Sequence, residues 1–376
     1  MTVRAYLMAA GLGTRLYPLT GLTSKPMVPI LNRPVMEHLL RRLRRHGVTE
    51  IAANLHYHPD KISTYFGDGR EFGVDLRYNL EEQLMGTAGG ASAFREFLGD
   101  STFLVMSGDG LTDVDLSAFI AAHKRSGGVA TLAVKEVEDP SLYGVVVHDE
   151  GMRVTGFQEK PAREEARSHL CNCGIYAFEP RIFDYVTPGA FVDWAKDVFP
   201  ALLDDGLPFH CWELQSYWND VGNIEQYRLS NFDALLGRVD VDIPGRRIAS
   251  GVWVGQGTEI ESGARLEPPV LLGAGCLVEA GAELIGPLII GDGCVVERGA
   301  VLEGVIHWDG AKAGRDSRLA GSILGRNVVV HHEAVVHEDA VIGDRSEVAA
   351  HALVDAGARL EPHTLFGPGG RGGTGE

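Results

Sequence analysis

Two hydrophobic rhythms run along this chain, and one gives way to the other near residue 240. In the first part, continuous apolar runs alternate with segments of helical periodicity. Strand character falls over 3–10, 51–55, 102–106 and 130–137, and helix character over 61–66, 88–97 and 116–125. Two more strand-like runs, 143–147 and 154–161, flank the turn Asp149-Glu150-Gly151, and an amphipathic helix over 224–236 closes the part. Such alternation predicts a mostly parallel sheet with helices on both faces, where ligands sit at the carboxyl ends of strands. The second rhythm is six residues long: Ile248, Val254, Ile260, Leu266, Leu272, Val278, Leu284, Ile290, Val296 and Leu302, then a new phase from Leu324 through Leu360. A six-residue period is neither helix nor simple strand; it marks a parallel β-helix. The slip between Leu302 and Leu324, around Trp308, reads as an inserted loop or a distorted coil.

The apolar runs end on residues that carry chemistry. The first breaks into Gly11-Leu12-Gly13-Thr14-Arg15, followed by a proline-punctuated loop with Lys25. Glycines let backbone N–H groups approach an anion closely, and two fixed cations stand beside them, which suits a polyphosphate. The pattern has neither the third glycine of the dinucleotide fingerprint nor the G-K-[ST] ending of the P-loop. The run 103–106 stops on Ser107-Gly108-Asp109, and a carboxylate at a strand terminus is a ready Mg²⁺ ligand. Asp113 and Asp115 read instead as caps of the helix starting near Leu116. In isolation Glu159-Lys160 is a surface pair. Cys171 and Cys173 alternate on one strand as packing residues, and Cys276 and Cys294, one coil apart, should stack inside the β-helix. His331, His332, His337 and His351 invite a metal, but their spacing does not repeat at the coil length.

Taken in order, these stretches resemble the sugar-1-phosphate nucleotidyltransferases, the nucleotide-sugar pyrophosphorylases. The likeness covers residues 1 to about 236. It rests on the glycine loop with Ser24-Lys25-Pro26 (Pro-Lys-Pro in the family), Glu81 to Gly89 (E-x-x-x-L-G-T-A-G, Met85 for leucine) and Ser107-Gly108-Asp109 (N-G-D). It also rests on Glu159-Lys160-Pro161, Asn172-Cys173-Gly174-Ile175-Tyr176 and Tyr217-Trp218-Asn219-Asp220-Val221-Gly222. The hexads are similar to left-handed β-helices, three hexads to a coil, with room for roughly six coils of about 18 residues. The resemblance implies an α/β, Rossmann-like catalytic domain over 1–236, a linker over 237–247, a left-handed parallel β-helix over 248–364 and a glycine-rich tail over 365–376, expected to be disordered from Gly367.

It also implies roles. Ala10, Gly11, Gly13 and Thr14 would bind the nucleotide with Glu81, Gly86 and Thr87; Arg15, Lys25 and Asp109 would be catalytic. Asp109 and Asp220 would hold Mg²⁺, and Gly144, Glu159, Lys160 and Asn172 would frame the sugar phosphate. An ionised Glu81 only accepts hydrogen bonds, so at the base edge it suits guanine, whereas uracil and thymine would pair better with an amide; otherwise it is a loop carboxylate facing water. The expected reaction joins an NTP to a sugar 1-phosphate, with GTP and mannose 1-phosphate favoured. Alternatives are UTP or dTTP with glucose 1-phosphate, or a non-catalytic nucleotide-sugar-binding relative. No trustworthy acyltransferase motif stands in the β-helix, which is expected to stabilise and oligomerise the enzyme.

Composition narrows the partners. With 34 basic against 51 acidic residues the net charge is −17, which disfavours nucleic acid and anionic membranes. The one basic cluster, Arg41-Arg42 with Arg44-Arg45, reads as a solvated helix face beside Leu39, Leu40 and Leu43. Nothing approaches the roughly 18 apolar residues of a membrane span, and the amino-terminal apolar run reads as a strand, not a signal peptide. Five cysteines without a CxxC suggest reduced thiols in a cytoplasm.

Overall fold

The computed structural model describes residues 3–367, and the chain divides into two compact units. One takes the chain up to Leu12 and resumes over Val35–Asp220; the other joins Gly13–Pro34 to the chain from Val221 onward. The stretch with Arg15 and Lys25 therefore belongs to the second unit, although in sequence it interrupts the first.

The first unit is built on nine strands: β1 (Arg4–Met8), β2 (Glu50–Leu55), β3 (Asp75–Leu80), β4 (Phe103–Ser107), β5 (Ala130–Glu136), β6 (Gly144–His148), β7 (Val154–Glu159), β8 (Leu170–Phe178) and β9 (Phe209–Glu213). They are ordered β7-β6-β8-β4-β1-β2-β3, with β5 also paired to β8 and β9 to β5. As the alternation predicts, β1 lies parallel to β2 and β4, and β2 parallel to β3. The far half differs. β8 is antiparallel to β4, β5 and β6, and β6 and β7 form an antiparallel hairpin, while β9 is parallel to β5, so antiparallel pairs join the parallel ones in a mixed α/β sheet. The turn at 149–151 makes the hairpin possible: the Asp149 carboxylate accepts from the amides of Gly151 and Arg153, and a tight turn reverses the chain without a crossover helix.

Two helical segments differ from expectation. The helix expected over 88–97 is two helices, Gly86–Ser92 and Arg95–Leu98, and the Ser92 hydroxyl bonds back to the Gly89 carbonyl near the break. On helix Val35–Arg45 the basic cluster is not one solvated face, because Arg42 is buried while Arg44 and Arg45 are exposed. The unit's core gathers Phe103, Phe178, Phe183, Trp194 and Phe199, with Phe178 and Trp194 ring centres 4.7 Å apart.

The second unit is a parallel β-helix of the left-handed, hexapeptide type. Its inward residues form three columns; one runs Val254, Leu272, Ile290, His307, Leu324, Ile342, Leu360. The phase slip is not an insertion. Ile290 pairs with His307 and His307 with Leu324, seventeen residues apart each, where every other step of this column is eighteen. Two corners, 302–307 and 319–324, are one residue short, turning on Gly304 and Gly321 at φ 60° and 50°. The first aliphatic of the period is also reassigned: Ile248 is 47% exposed, on a strand antiparallel to Val252–Val254. At the other end Leu365–Phe366 pairs with Glu347–Val348, so the coil continues into the stretch assigned to the tail. The remainder, 368–376, lies outside the described residues.

Cys276 and Cys294 are buried in the core, their thiols directed at the carbonyls of Gly291 (3.1 Å) and Trp308 (3.2 Å), and burial raises both thiol pKa values. One sheet of the coil also buries its outward side chains: Leu271, Ile289, Ile306, Ile323 and Val341 are at most 2% exposed. Doubled aliphatics at four of those five hexads, with Ile306-His307 the exception, are the sequence signal for that buried face. Helix Ile224–Leu235 is fastened to the coil by Trp308 Nε1 donating to Tyr227 OH (2.8 Å) and by Arg228 reaching the Gly321 carbonyl and Asp339.

Candidate active site

The carboxyl ends of the parallel strands converge, and side chains hold them in place. Asn54, at the end of β2, accepts from the amide of Ala9 just past β1 (2.8 Å) and donates to Glu81 just past β3 (2.7 Å). The other oxygen of Glu81 accepts from the Met85 amide (3.0 Å). Glu81 is 4% exposed, and a Cβ on Gly90 would overlap its carboxylate and the Tyr6 hydroxyl. Burial with Glu81 nearby raises the Tyr6 pKa well above its ordinary value. Glu81 is thus neither a water-facing loop carboxylate nor one with both oxygens turned free toward a base; each already serves the protein. Ala10 is buried, whereas a side chain at Gly11 would meet open space.

The Gly86-Thr87-Ala88-Gly89 stretch is zipped to the segment before a π-helical turn, Trp194–Val198. Ala88 and Gly89 amides donate to the Val192 carbonyl (2.9 and 3.0 Å), and the Val192 amide donates to Met85 O (2.9 Å). Cβ atoms on Gly86 or Gly89 would strike the carbonyls of Val192 or Ala190, so these two glycines serve backbone approach. Thr87 Oγ1 donates to Asp193 Oδ2 (2.9 Å) and accepts from the Trp194 amide (2.9 Å). Beside this zipper lies a cavity of about 490 Å³ whose lining includes Leu80, Glu81, Gln83, Met85, Pro188 and Gly189.

Asp109 sits where expected, on the turn after β4. The Ser107 hydroxyl donates to its carboxylate, and the Gly108 amide donates to Met8 O (3.0 Å), placing the turn against β1. A two-residue ribbon, Leu111–Thr112 with Trp218–Asn219, pairs Asn219 with Leu111, which sets Asp220 at the register position of Gly110, next to Asp109. Two carboxylates far apart in sequence are thereby neighbours in the backbone, and hard oxygen donors are what Mg²⁺ takes. Among the described residues there is no group of three or more His, Cys, Asp or Glu fit to hold a metal. Asp115 caps its helix at Ala118 N, and Asp113 accepts from the Tyr217 amide (2.7 Å), which steadies the ribbon. Val221, a buried β-branched residue at φ 47°, follows Asp220 directly, and such strain gathers at functional sites.

The sugar-phosphate candidates share one line across three strands. Gly144 pairs with Glu159, and Cys171 with Val145, so Asn172 stands in register with Gly144. A Cβ on Gly144 would touch Glu159 Oε2 at 3.2 Å. Lys160 follows at φ 44°, its amide bonded to Tyr143 O (3.1 Å). Asn172 staples a bulge in β8, donating to Tyr176 OH and accepting from Gly174 N (both 3.0 Å). Trp218 ties the two groups together, its Nε1 donating to Cys173 O (2.9 Å) and its ring 5.8 Å from that of Tyr143.

In the second unit Gly13 sits at φ 66°, and a Cβ there would collide with Lys25 Cβ. Lys25 is 8% exposed, while Thr14 and Arg15 are exposed. The hairpin following Lys25 turns on Leu31 and Asn32 at φ 49° and 61°; Leu31 N donates to Asn231 (3.0 Å) and Asn32 to Ile290 O (2.7 Å). The exposed histidines His331, His332, His337 and His351 are dispersed; His332 and His351 pack edge to face, and His351 meets Glu333 at 3.3 Å.

The model of the nucleotidyl transferase family matches residues 4–235. This chain belongs to that family. It is 41% identical over 267 residues to a UTP–glucose-1-phosphate uridylyltransferase of Synechocystis, covering 67% of this chain and 69% of that one. It is 34% identical over 283 residues to a mannose-1-phosphate guanylyltransferase of Mycobacterium tuberculosis, covering 70% and 78%. A solved Bacillus anthracis chain superposes with a TM-score of 0.58 at 24% identity, over 65% of this chain and 98% of that one, a likeness of fold.

Asn54 and Asp193 escaped the sequence reading. A lone polar residue ending the apolar run 51–55 was the signal for the first, and an aspartate just ahead of a helical segment for the second. No helix among the described residues is long and apolar enough to cross a membrane.

Proposed function

We propose that the chain transfers a nucleotidyl group from an NTP to a sugar 1-phosphate, giving a nucleoside-diphosphate sugar and pyrophosphate. The observation that carries this reading is the shared rim of the first unit, where the Gly108–Asp109 turn, the Glu159–Gly144–Asn172 line and the Ala9–Gly11 end of β1 all lie at or within a few residues of strand termini. A sugar-phosphate oxygen attacks the α-phosphorus, the bond to the bridging β-phosphate oxygen breaks, and pyrophosphate leaves. The nucleophile is already anionic, so positioning and charge neutralisation suffice.

In this reading the amides of Gly11 and Gly13, with Ala10 and Thr14, cradle the triphosphate. Arg15, exposed on its loop, steadies the departing pyrophosphate, and Lys25 neutralises charge between the phosphates. Asp109 and Asp220 would hold Mg²⁺, which when bound offsets phosphate charge. Glu159 accepts sugar hydroxyls, Lys160 meets the sugar phosphate, and Asn172, with an amide proton and lone pairs still to offer, completes the frame with Gly144. The β-helix would add stability and the contacts of a homo-oligomer, which sedimentation would read. Five free thiols, all buried, fit a cytoplasmic setting.

For the substrate pair, GTP with mannose 1-phosphate is favoured by the Glu81–Gly89 segment's likeness to the guanylyltransferases. A second reading, UTP with glucose 1-phosphate, is favoured by three observations. Glu81 is engaged with Asn54 and Met85, Gln83 lines the cavity, and the uridylyltransferase relative is the more similar of these two. Pyrophosphate release with Mg²⁺, each of four NTPs, and mannose or glucose 1-phosphate decides between them. Release with one pair identifies the reaction; tight nucleotide-sugar binding with no release from any pair overturns catalysis.

A further inference from the structure

The cavity beside the Glu81–Gly89 segment has one wall, Pro188–Gly189, that owes its place to a latch a few residues on. Asp193 stands at the centre of that latch. Its Oδ2 accepts from Thr87 Oγ1, its Oδ1 accepts from the amides of Ala195 and Lys196 (2.9 and 3.0 Å), and its own amide donates to Asp197 Oδ2 (2.7 Å). One carboxylate therefore closes the first turn of the π-helical segment and grips the loop on the other side of the zipper. Trp194, 1% exposed and packed on Phe178, fixes the downstream end in the core. Upstream, the chain reaches Pro188 in five residues, with Phe191 68% exposed. The wall is thus firm at Asp193 and at the Val192 zipper beside it and more open toward Phe191, and π-turns of this kind recur at functional sites.

We propose that Asp193 is a positioning residue which, through Thr87, sets the width of this cavity and with it the choice of nucleotide base. The inference rests on the reading of the cavity as the base site. Thr87 then acts through Asp193 and the Trp194 amide, both of which its hydroxyl serves, and need not touch the nucleotide. Phosphates and sugar are held elsewhere, so loosening the latch weakens a contact made equally in ground and transition states. Such a loss raises KM and spares kcat.

The test compares wild type, Thr87→Val, Thr87→Ser and Asp193→Ala in the full chain, with GTP and UTP as probes in turnover and in calorimetric titration. Expected for Thr87→Val and Asp193→Ala are a KM for the preferred NTP raised at least fivefold and a kcat within twofold. The KM for sugar 1-phosphate stays within twofold, the GTP-to-UTP ratio of kcat/KM shifts at least threefold, and Thr87→Ser restores the wild-type ratio. A purely structural role would lower the melting temperature and active fraction while leaving the GTP-to-UTP ratio unchanged, and that result overturns the proposal. Should the wild-type chain turn over no pair, the reading of the reaction fails by itself, and the ratio of GTP and UTP affinities in the titrations still decides the latch. An unchanged affinity ratio in both variants overturns it there too.

Discussion

Asn54 donates to Glu81 at 2.7 Å, and this one hydrogen bond joins the ends of two neighbouring parallel strands. The same amide accepts from Ala9, so β1, β2 and β3 end on a single polar chain sealed under Gly90. A buried chain of this kind holds only while every member is satisfied. Asn54→Asp keeps the shape and the bond to Ala9 but sets a second carboxylate against Glu81. Two carboxylates in one buried site cannot both ionise freely. The variant should lose about 2–4 kcal/mol in urea unfolding. Because the lost donor leaves charge facing charge, the loss should be larger at pH 8 than at pH 5. A loss of the same size at both pH values would overturn the charge-against-charge account.

The first unit's carboxylates and the second unit's cations are separable in experiment. Asp109→Asn and Asp220→Asn should each lower turnover by about 10²-fold or more, as should removal of divalent metal with EDTA, since charge stabilisation of a transferring phosphoryl group carries factors of that order. Lys25→Met should lower kcat comparably while the sugar 1-phosphate KM moves little. Retention of near-wild-type kcat in Asp220→Asn would assign the metal to other groups.

Gly86 gives a geometric prediction. It sits at φ 77°, and a Cβ would strike the Val192 carbonyl. Gly86→Ala should cost about 1–3 kcal/mol through positive-φ strain and the broken zipper. Hydrogen exchange should quicken first at the Ala88, Gly89 and Val192 amides, and unchanged protection there would show that the zipper tolerates the methyl.

Much of the fold was legible because each rhythm has one physical cause. Period-two and period-3.6 runs announce the sheet and its helices, and a six-residue repeat admits little else. What escaped were features set by distant chain. The reversal of β8 shows only in its pairing with β4, β5 and β6. The two short corners look like an insertion until the pairing of His307 with Ile290 and Leu324 is known. At the site, the motif positions fell at strand ends as expected. Yet the employment of Glu81 and Thr87 in binding the protein to itself depends on Asn54, Val192 and Asp193, which no local spacing links to them. Glu81 illustrates why a residue type at a motif position is weaker evidence than its partners: each oxygen accepts a hydrogen bond from Asn54 or Met85 that the carboxylate argument for guanine did not include.

His307 occupies an aliphatic column between Ile290 and Leu324, 1% exposed, and neither ring nitrogen has a hydrogen-bond partner among the described residues. Burial lowers its pKa from 6.5 to about 3. Unfolded, the same imidazole takes a proton near 6.5. Between these values the unfolded chain binds more protons than the folded one. Its contribution to stability is therefore constant above about pH 6.5 and declines as pH falls toward 3. Leucine, the residue one coil on, has no titration and no polar atoms to strand. His307→Leu should raise stability at pH 7.5 by about 1–3 kcal/mol, the cost of an unsatisfied buried polar group. It should also flatten the fall in melting temperature between pH 6.5 and 4 relative to wild type. A variant no more stable at pH 7.5, with the acid slope unchanged, would mean that the imidazole is solvated within the coil.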